Sequence, residues 1–530
     1  MGKNGGVTDL VAKIKVPSVS FFESLLALLA VAILLLQVSR RLTIPYPTML
    51  AMAGVGLALI PGAPRITLAP HTALPLFIAP VLVDAAFDFP VRAVWRLWRP
   101  LLALAVWAVV LSAGAVAWLG VTLAGLPLYA ALALGAIVAP PDAAAATAVL
   151  SSVSMPRRTV AVLQGESLLN DASALLLFGA ATSVPEHGRL DAGLALRLAL
   201  AGPGGVVLGI VFAKGFRYVV PFVTGTLGGT LLEFVTSFVV WIIADRLGLS
   251  PVLCLVAFAM TIARPASLLT RPRTRIHSFA VWETAVFLLN VLAFLLMGLQ
   301  ARTIVGDMAP GRLRTAAWFA LAVIACLVVV RMAWVLLYNR LAVRFRMLRG
   351  DPKTATLRHG VLVGWSGMRG LVTLATAFAL PAAFPQRDLV VFTAFAVVLA
   401  TLIVQGLTLA PLVRLLKLDG ENDLPAELVQ IRADLARVAL TALDGQASPA
   451  ASHWRYRFEQ EQSAFVSENG APLEALRSLG LTAVRRQRER LDVLRSEQRV
   501  GPDAFLILQE ELDFEEVTVS NEDERHIEES

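Results

Sequence analysis

Cysteine is nearly absent from this chain: two in 530 residues, Cys254 and Cys326, both inside apolar runs. Neither has a partner at ligand spacing, so the sequence supports neither a disulfide scaffold nor a zinc site. Histidine is scarce as well, with six, and charge is thin, with 16% Asp, Glu, Lys and Arg against 57% hydrophobic residues. With a mean hydropathy of +0.70, that balance cannot be arranged around a soluble core. The chain reads as an all-α polytopic membrane protein.

Apolar runs of roughly 17 to 25 residues, long enough for a hydrocarbon layer of about 30 Å, begin near Phe21, Ile44, Thr72, Leu101, Leu128, Val160, Gly193, Leu231, Pro251, Phe279, Thr315, Gly360 and Leu389, about thirteen spans in all. The run from Phe21 to Leu36 has no small-residue cleavage site and ends at Arg40 and Arg41, so it reads as an uncleaved first span rather than a secretory signal. Residues 1–19 form an N-terminal segment, 20–416 the membrane domain and 417–530 a charged tail. Alternate short loops are rich in arginine, for example Arg92, Arg96 and Arg99, then Arg157 and Arg158, then Arg264, Arg271, Arg273 and Arg275. Basic loops are retained on the cytoplasmic side. That places the tail in the cytoplasm and the N-terminus outside, in a multi-pass protein of the cell (inner) membrane. The net charge of +7 resides in these loops, so no nucleic-acid partner is implied.

Several ionisable residues interrupt the apolar runs: Asp84 in the third, Asp142 in the fifth, Glu166 and Asp171 in the sixth, and Arg369 in the twelfth. A charge at the centre of a spanning helix costs roughly 2.5 to 3.5 kcal/mol or more, and persists mainly where it pairs or binds something. At 1.5 Å per residue, Asp142, Asp171 and Arg369 each stand about 16 to 22 Å from a membrane surface, near the midplane. Pro140 and Pro141 withhold backbone donors just before Asp142. Gly364, Gly367 and Gly370 weaken the helix around Arg369. Spans 5 and 12 are therefore expected to be broken and to cross, in the position that inverted repeats give to a midplane binding site. The competing reading is that these prolines and glycines only serve packing.

On the sixth span, spacing of i to i+4 stacks Glu166 over Asn170 and Ser167 over Asp171. A hard monovalent cation needs several oxygen ligands. Asp171, Asp142, Ser167, the carbonyls freed at Pro140 and Pro141, and Asp84 are the candidates. Arg369 cannot join that shell because it is always positive; its expected partner is Glu166, in a buried structural ion pair.

These motifs carry a resemblance. Gly-Glu-Ser-Leu-Leu-Asn-Asp (165–171), Gly-Trp-Ser-Gly-Met-Arg-Gly (364–370), the aspartate of Pro-Pro-Asp (140–142), and the stretch from Trp282 and Glu283 to Asn290 and Gly298 resemble the sodium/proton exchanger branch of the cation:proton antiporters, across nearly the whole membrane region. The resemblance implies a homodimer in which a core with crossed helices moves against a dimerisation domain. It also implies that Asn170 with Asp171 marks electroneutral exchange. Pro141-Asp142-Ala143 departs from the Thr-Asp-Pro of many members, so a threonine ligand is absent, and Asp84 stands where many carry glutamate. The tail resembles the cytoplasmic extension of a bacterial subgroup.

The activity so implied is exchange of Na+, or Li+, for H+, with cation and proton competing for Asp171 and serving pH homeostasis. It requires no cofactor and no covalent intermediate. The partners are the transported ions, membrane lipid and a second copy of the chain. Potassium/proton exchange is the alternative within the class, since oxygen ligands alone do not select sodium; a cation channel is the alternative outside it. An intramembrane serine protease built on Ser366 lacks a positioned base, because the histidines beyond it, His453 and His526, lie in the tail and His359 lies at the edge of the span. Periodic Leu and Ala from Glu427 to Leu443 and from Leu473 to Leu494 predict amphipathic tail helices. The acidic end from Glu510 to Ser530 is expected to be partly disordered.

Overall fold

The structure is a computed structural model that describes residues 21–42, 44–60, 70–142, 146, 157–187, 192–223, 226–269, 272–306, 308–345, 356–418, 424–466 and 471–520. The expected N-terminal segment 1–19 and the last residues of the acidic end lie outside the described residues, as does most of the second half of span 5. All regular structure among the described residues is helical. Lipid offers no partner to backbone amides, so a chain this apolar satisfies them within helices.

The membrane unit contains α1 (Phe21–Leu42), α2 (Tyr46–Ala58), α3 (Pro70–Asp88), α4 (Val91–Leu102), α5 (Val109–Ala124), α6 (Leu128–Val138), α7 (Arg157–His187) and α8 (Ala192–Val223). It continues with α9 (Leu227–Arg246), α10 (Pro251–Leu269), α11 (Pro272–Leu299), α12 (Ala301–Gly306), α13 (Pro310–Arg344), α14 (Leu357–Trp365), α15 (Leu371–Phe378) and α16 (Arg387–Leu415). A helix overlies each apolar run of the sequence. Among the described residues, six segments are long and apolar enough to cross a membrane by length and composition: Val91–Ala124, Ala199–Val223, Gly228–Arg246, Pro272–Gly306, Gly311–Arg344 and Arg387–Leu415.

Close approach is achieved where side chains vanish. α2 packs on α11 at Gly54 and Gly298; a Cβ on Gly54 would stand 2.9 Å from Gly298 Cα. Between α4 and α5 the chain makes a π-helical turn, Ala103–Ala108. A wide turn leaves carbonyls without their usual i+4 donor, and Trp334 Nε1 on α13 donates to Ala103 O at 2.8 Å. The turn packs against both α7 and α13, so it bears on the two helices that carry the buried charges described below.

The second unit, 422–529, contains α17 (Leu424–Ala442), α18 (Pro449–Val466), α19 (Ala471–Ser496) and α20 (Pro502–Val519). α17 pairs with α18 and α19 with α20. α17 and α19 match the periodic stretches of the sequence. α20 makes the first half of the acidic end, Glu510 to Val519, helical, while the last residues of the stretch expected to be partly disordered lie outside the described residues. Arg488 on α19 holds Asp513 and Glu516, each at 2.5 Å, and Arg495 lies 4.2 Å over the Phe505 ring. These contacts supply an acidic segment with a partner that its composition does not reveal.

Candidate functional site

Both predicted breaks are present. α6 stops at Val138, and Ala139 to Asp142 is not helical; α14 stops at Trp365, and Ser366 to Gly370 is not helical before α15 begins. Each break hydrogen-bonds to the other. Asp142 N donates to Met368 O at 2.6 Å, and Arg369 Nε donates to Val138 O at 3.1 Å. Three backbone groups that would be orphaned by the breaks in spans 5 and 12, Asp142 N, Met368 O and Val138 O, are thus satisfied at the crossing itself.

Arg369 is fully buried and is held from three directions. Besides Val138 O, its Nη1 donates to Gly367 O, and its backbone amide donates to Thr401 Oγ1 on α16 at 3.1 Å. The guanidinium acts as a spacer that keeps the two breaks in register. Gly370 completes the contact, since a Cβ there would fall on the Asp142 carboxylate.

α7 runs past the crossing and supplies the acidic face. Asn170 and Asp171 are buried, at 0% and 7% exposure. Asn170 Nδ2 donates to Pro141 O at 2.8 Å, while Asn170 Oδ1 is buried without a hydrogen-bond partner. Asp142 is half-buried and interacts electrostatically with Asp171. The structure therefore brings together Pro141 and Asp142, Asn170 and Asp171, and Gly370, from three separate stretches of the sequence. Ser167 is half-buried, one helical turn before Asp171, and Asp84 is half-buried on α3, which packs against α15 where it leaves the break. Ser366 donates its hydroxyl to Leu362 O at 2.8 Å, a local helix contact rather than the arrangement of a nucleophile.

The expected pair of Glu166 with Arg369 is not formed. Glu166 binds Arg331 of α13 through two hydrogen bonds, Nη1 to Oε1 at 2.5 Å and Nη2 to Oε2 at 3.0 Å, with side chains only 1% and 3% exposed. Arg331 Nη2 also reaches Val363 O at 3.1 Å, near the end of α14. A bidentate guanidinium–carboxylate pair is the strongest option open to a buried glutamate, and Arg369 is already held by backbone carbonyls. Both arginines converge on Gly367, whose Cβ would lie 2.8 Å from Arg331 Nε and 3.2 Å from Arg369 Nη1. Arg369 thus feels Glu166 and Arg331 electrostatically without touching the carboxylate. Arg331 escaped sequence reasoning although its signal was of the same kind, a charge inside an apolar run (Val328-Val329-Val330-Arg331).

Comparisons with known proteins point to one family and fold. A family model described as sodium/hydrogen exchanger, transmembrane, matches residues 26–415. An uncharacterised Na+/H+ exchanger of Mycobacterium bovis is 29% identical over 520 residues, covering 93% of this chain and 95% of its own. A sodium, potassium, lithium and rubidium/H+ antiporter of Bacillus pumilus is 32% identical over 428 residues, covering 76% of this chain and 62% of its own. Among solved structures, the sodium proton antiporter MjNhaP1 from Methanocaldococcus jannaschii has a similar fold, with a TM-score of 0.56 and 17% identity over 74% of this chain and 97% of that one.

Proposed function

The chain belongs to the sodium/hydrogen exchanger family of monovalent cation:proton antiporters, and we propose that it exchanges Na+ for H+ at Asp171, with Asp142 as the second carboxylate of the site. The observation that carries this reading is the crossing, which sets two carboxylates and the buried, unpartnered Asn170 Oδ1 beside broken helix ends. Asp142, Asp171, Asn170 Oδ1, Ser167 and the carbonyls of the break offer the oxygen ligands that a hard cation takes, with Asp84 as a further ligand from α3.

Charge counting supports one-for-one exchange. Glu166, Asp142 and Asp171 contribute three negative charges and Arg331 and Arg369 two positive ones, leaving a single negative charge at the crossing provided that Asp84 on α3 is protonated. One monovalent cation neutralises it; so does one proton on Asp171. Carrying a net charge across the hydrocarbon is costly, so the two neutral states are the ones free to reorient, and the two ions exchange without net charge movement. Alternating access then needs only that the empty, charged state stays in place. The protein works as a homodimer of about thirteen-span protomers in the cell membrane, with its tail in the cytoplasm and its N-terminus outside.

Potassium is a second cargo to be tested, because the Bacillus pumilus relative is named for sodium, potassium, lithium and rubidium. In proteoliposomes with an imposed pH gradient, addition of Na+ or Li+ is expected to dissipate the gradient at a rate unchanged by an imposed voltage. A rate that follows the voltage contradicts electroneutral exchange. A response to K+ alone contradicts sodium as the cargo.

A further inference from the structure

Away from the ion site, one strongly basic and aromatic patch has no part in the exchange just described. α4 carries Arg92, Trp95, Arg96 and Arg99 at spacings of i, i+3, i+4 and i+7, which puts them on one face, while Leu97 and Leu101 turn into the core. Trp95 is 76% and Trp98 48% exposed, and the Arg99 guanidinium lies 5.2 Å over the Trp98 ring. The helix does not end there. It continues through the π turn into the apolar stretch that reaches Ala124, so Arg99 stands about 3 Å and Arg92 about 14 Å before the first residue of that stretch, Leu101, at the depth of lipid headgroups.

Retention of basic loops on one side of a membrane requires only that arginines be present. Here they converge. α4 packs against α7, and the π turn that follows α4 packs against both α7 and α13, which sets Arg99, Arg158 near the start of α7 and Tyr338 near the end of α13 at the same end of the three helices, where Tyr338 feels both guanidiniums. On the membrane side of this cluster, Leu102 lies one turn beyond Trp98, and Val110 lies beyond the π turn; they are 44% and 45% exposed. Cationic groups that fork onto phosphate oxygens, a hydroxyl donor, an indole at the interface and an exposed apolar track below together match the parts of a phospholipid.

We propose that Arg99, Arg158 and Tyr338 bind the phosphate of an anionic phospholipid headgroup, with Trp98 holding Arg99 in place and Leu102 and Val110 facing an acyl chain. The position gives the lipid a consequence. Arg158 lies on α7 about 12 Å before Glu166, and Tyr338 lies on α13 about 11 Å beyond Arg331. A headgroup at this spot ties together the ends of the two helices that the buried Glu166–Arg331 pair joins deeper in the membrane.

The test uses the full-length protein in detergent, with thermal unfolding followed while phosphatidylglycerol, phosphatidylcholine or inorganic phosphate is added. Phosphatidylglycerol is expected to raise Tm saturably, and the other two to have little effect. Arg99→Gln and Arg158→Gln should each raise the half-saturating phosphatidylglycerol concentration about fivefold, the factor that corresponds to about 1 kcal/mol per basic residue near an anionic surface. Should either variant be too unstable to purify, Arg99→Lys and Trp98→Leu keep the charge count while removing the forked geometry or its support, and each should weaken the response. Equal stabilisation by phosphatidylcholine overturns the proposal, as does wild-type half-saturation in the variants. Equal stabilisation by inorganic phosphate assigns the cluster to a free anion instead, and overturns the lipid as occupant.

Discussion

Removing Glu166 strands a buried guanidinium inside the membrane unit. Glu166→Gln leaves Arg331 buried at 3% exposure with a neutral amide in place of a carboxylate it had held by two hydrogen bonds. Breaking a buried pair in this way costs about 3 to 5 kcal/mol. Arg369, which also lies in the field of Glu166 and converges with Arg331 on Gly367, adds like-charge repulsion to that cost. Arg331→Gln strands the carboxylate instead and also leaves Val363 O without its guanidinium donor, a loss of about 1 to 3 kcal/mol for a buried acceptor. The remaining Glu166 still feels Arg369, which softens the first part of the penalty. The two single variants are therefore expected to lose similar stability by different routes. The double variant leaves Arg369 on its backbone carbonyls and no unpaired carboxylate, so it should lose less than the sum of the singles by about 1 to 3 kcal/mol. Thermal or denaturant unfolding of purified protein in one detergent measures all four corners of the cycle. Losses that add to within about 0.5 kcal/mol refute the pair as an energetic unit.

Three further outcomes follow from the packing. Gly370→Ala places a methyl on the Asp142 carboxylate and should slow exchange about tenfold or more, a barrier increase of about 1.4 kcal/mol, in protein that still folds; wild-type rates show that the contact is dispensable. Gly54→Leu forces α2 away from Gly298 on α11 and should cost about 1 to 3 kcal/mol or more through overpacking, read as a lower Tm; an unchanged Tm shows that the two helices separate freely there. Arg488→Ala in the second unit removes ion pairs to Asp513 and Glu516 that are partly open to solvent. Its cost should stay below about 1 kcal/mol and shrink further in high salt, and a large, salt-independent loss contradicts that reading.

What was legible in the sequence depended on how far each signal reaches along the chain. Apolar length marked the helices because each must satisfy its own backbone within one segment. Pro140 and Pro141, and the glycines at 364, 367 and 370, announced both breaks locally. The partner of Glu166 was not legible, because Arg331 is 165 positions away and only the packing of α7, α13 and α14 decides which of two buried arginines takes the carboxylate. Arg369 had the more conspicuous motif, yet its guanidinium was already engaged by Val138 O and Gly367 O. The π turn at Ala103–Ala108 leaves no local mark either, since its freed carbonyl is answered by Trp334, 231 positions away. In the tail, α17 and α19 showed in the periodicity of Leu and Ala. The acidic character of α20 hid a helix that is held by Arg488 and Arg495 from outside its own segment.

The central claim is that one buried carboxylate, Asp171, holds cation and proton in turn. Its most direct test is Asp171→Asn in sealed proteoliposomes, where an outward Na+ gradient is imposed and internal pH is followed. An amide preserves shape and can still offer an oxygen, but it cannot carry the coupled proton. The account predicts correctly folded protein with no sodium-driven acidification of the lumen, beside robust acidification by the wild type. Acidification at the wild-type rate in the variant contradicts it.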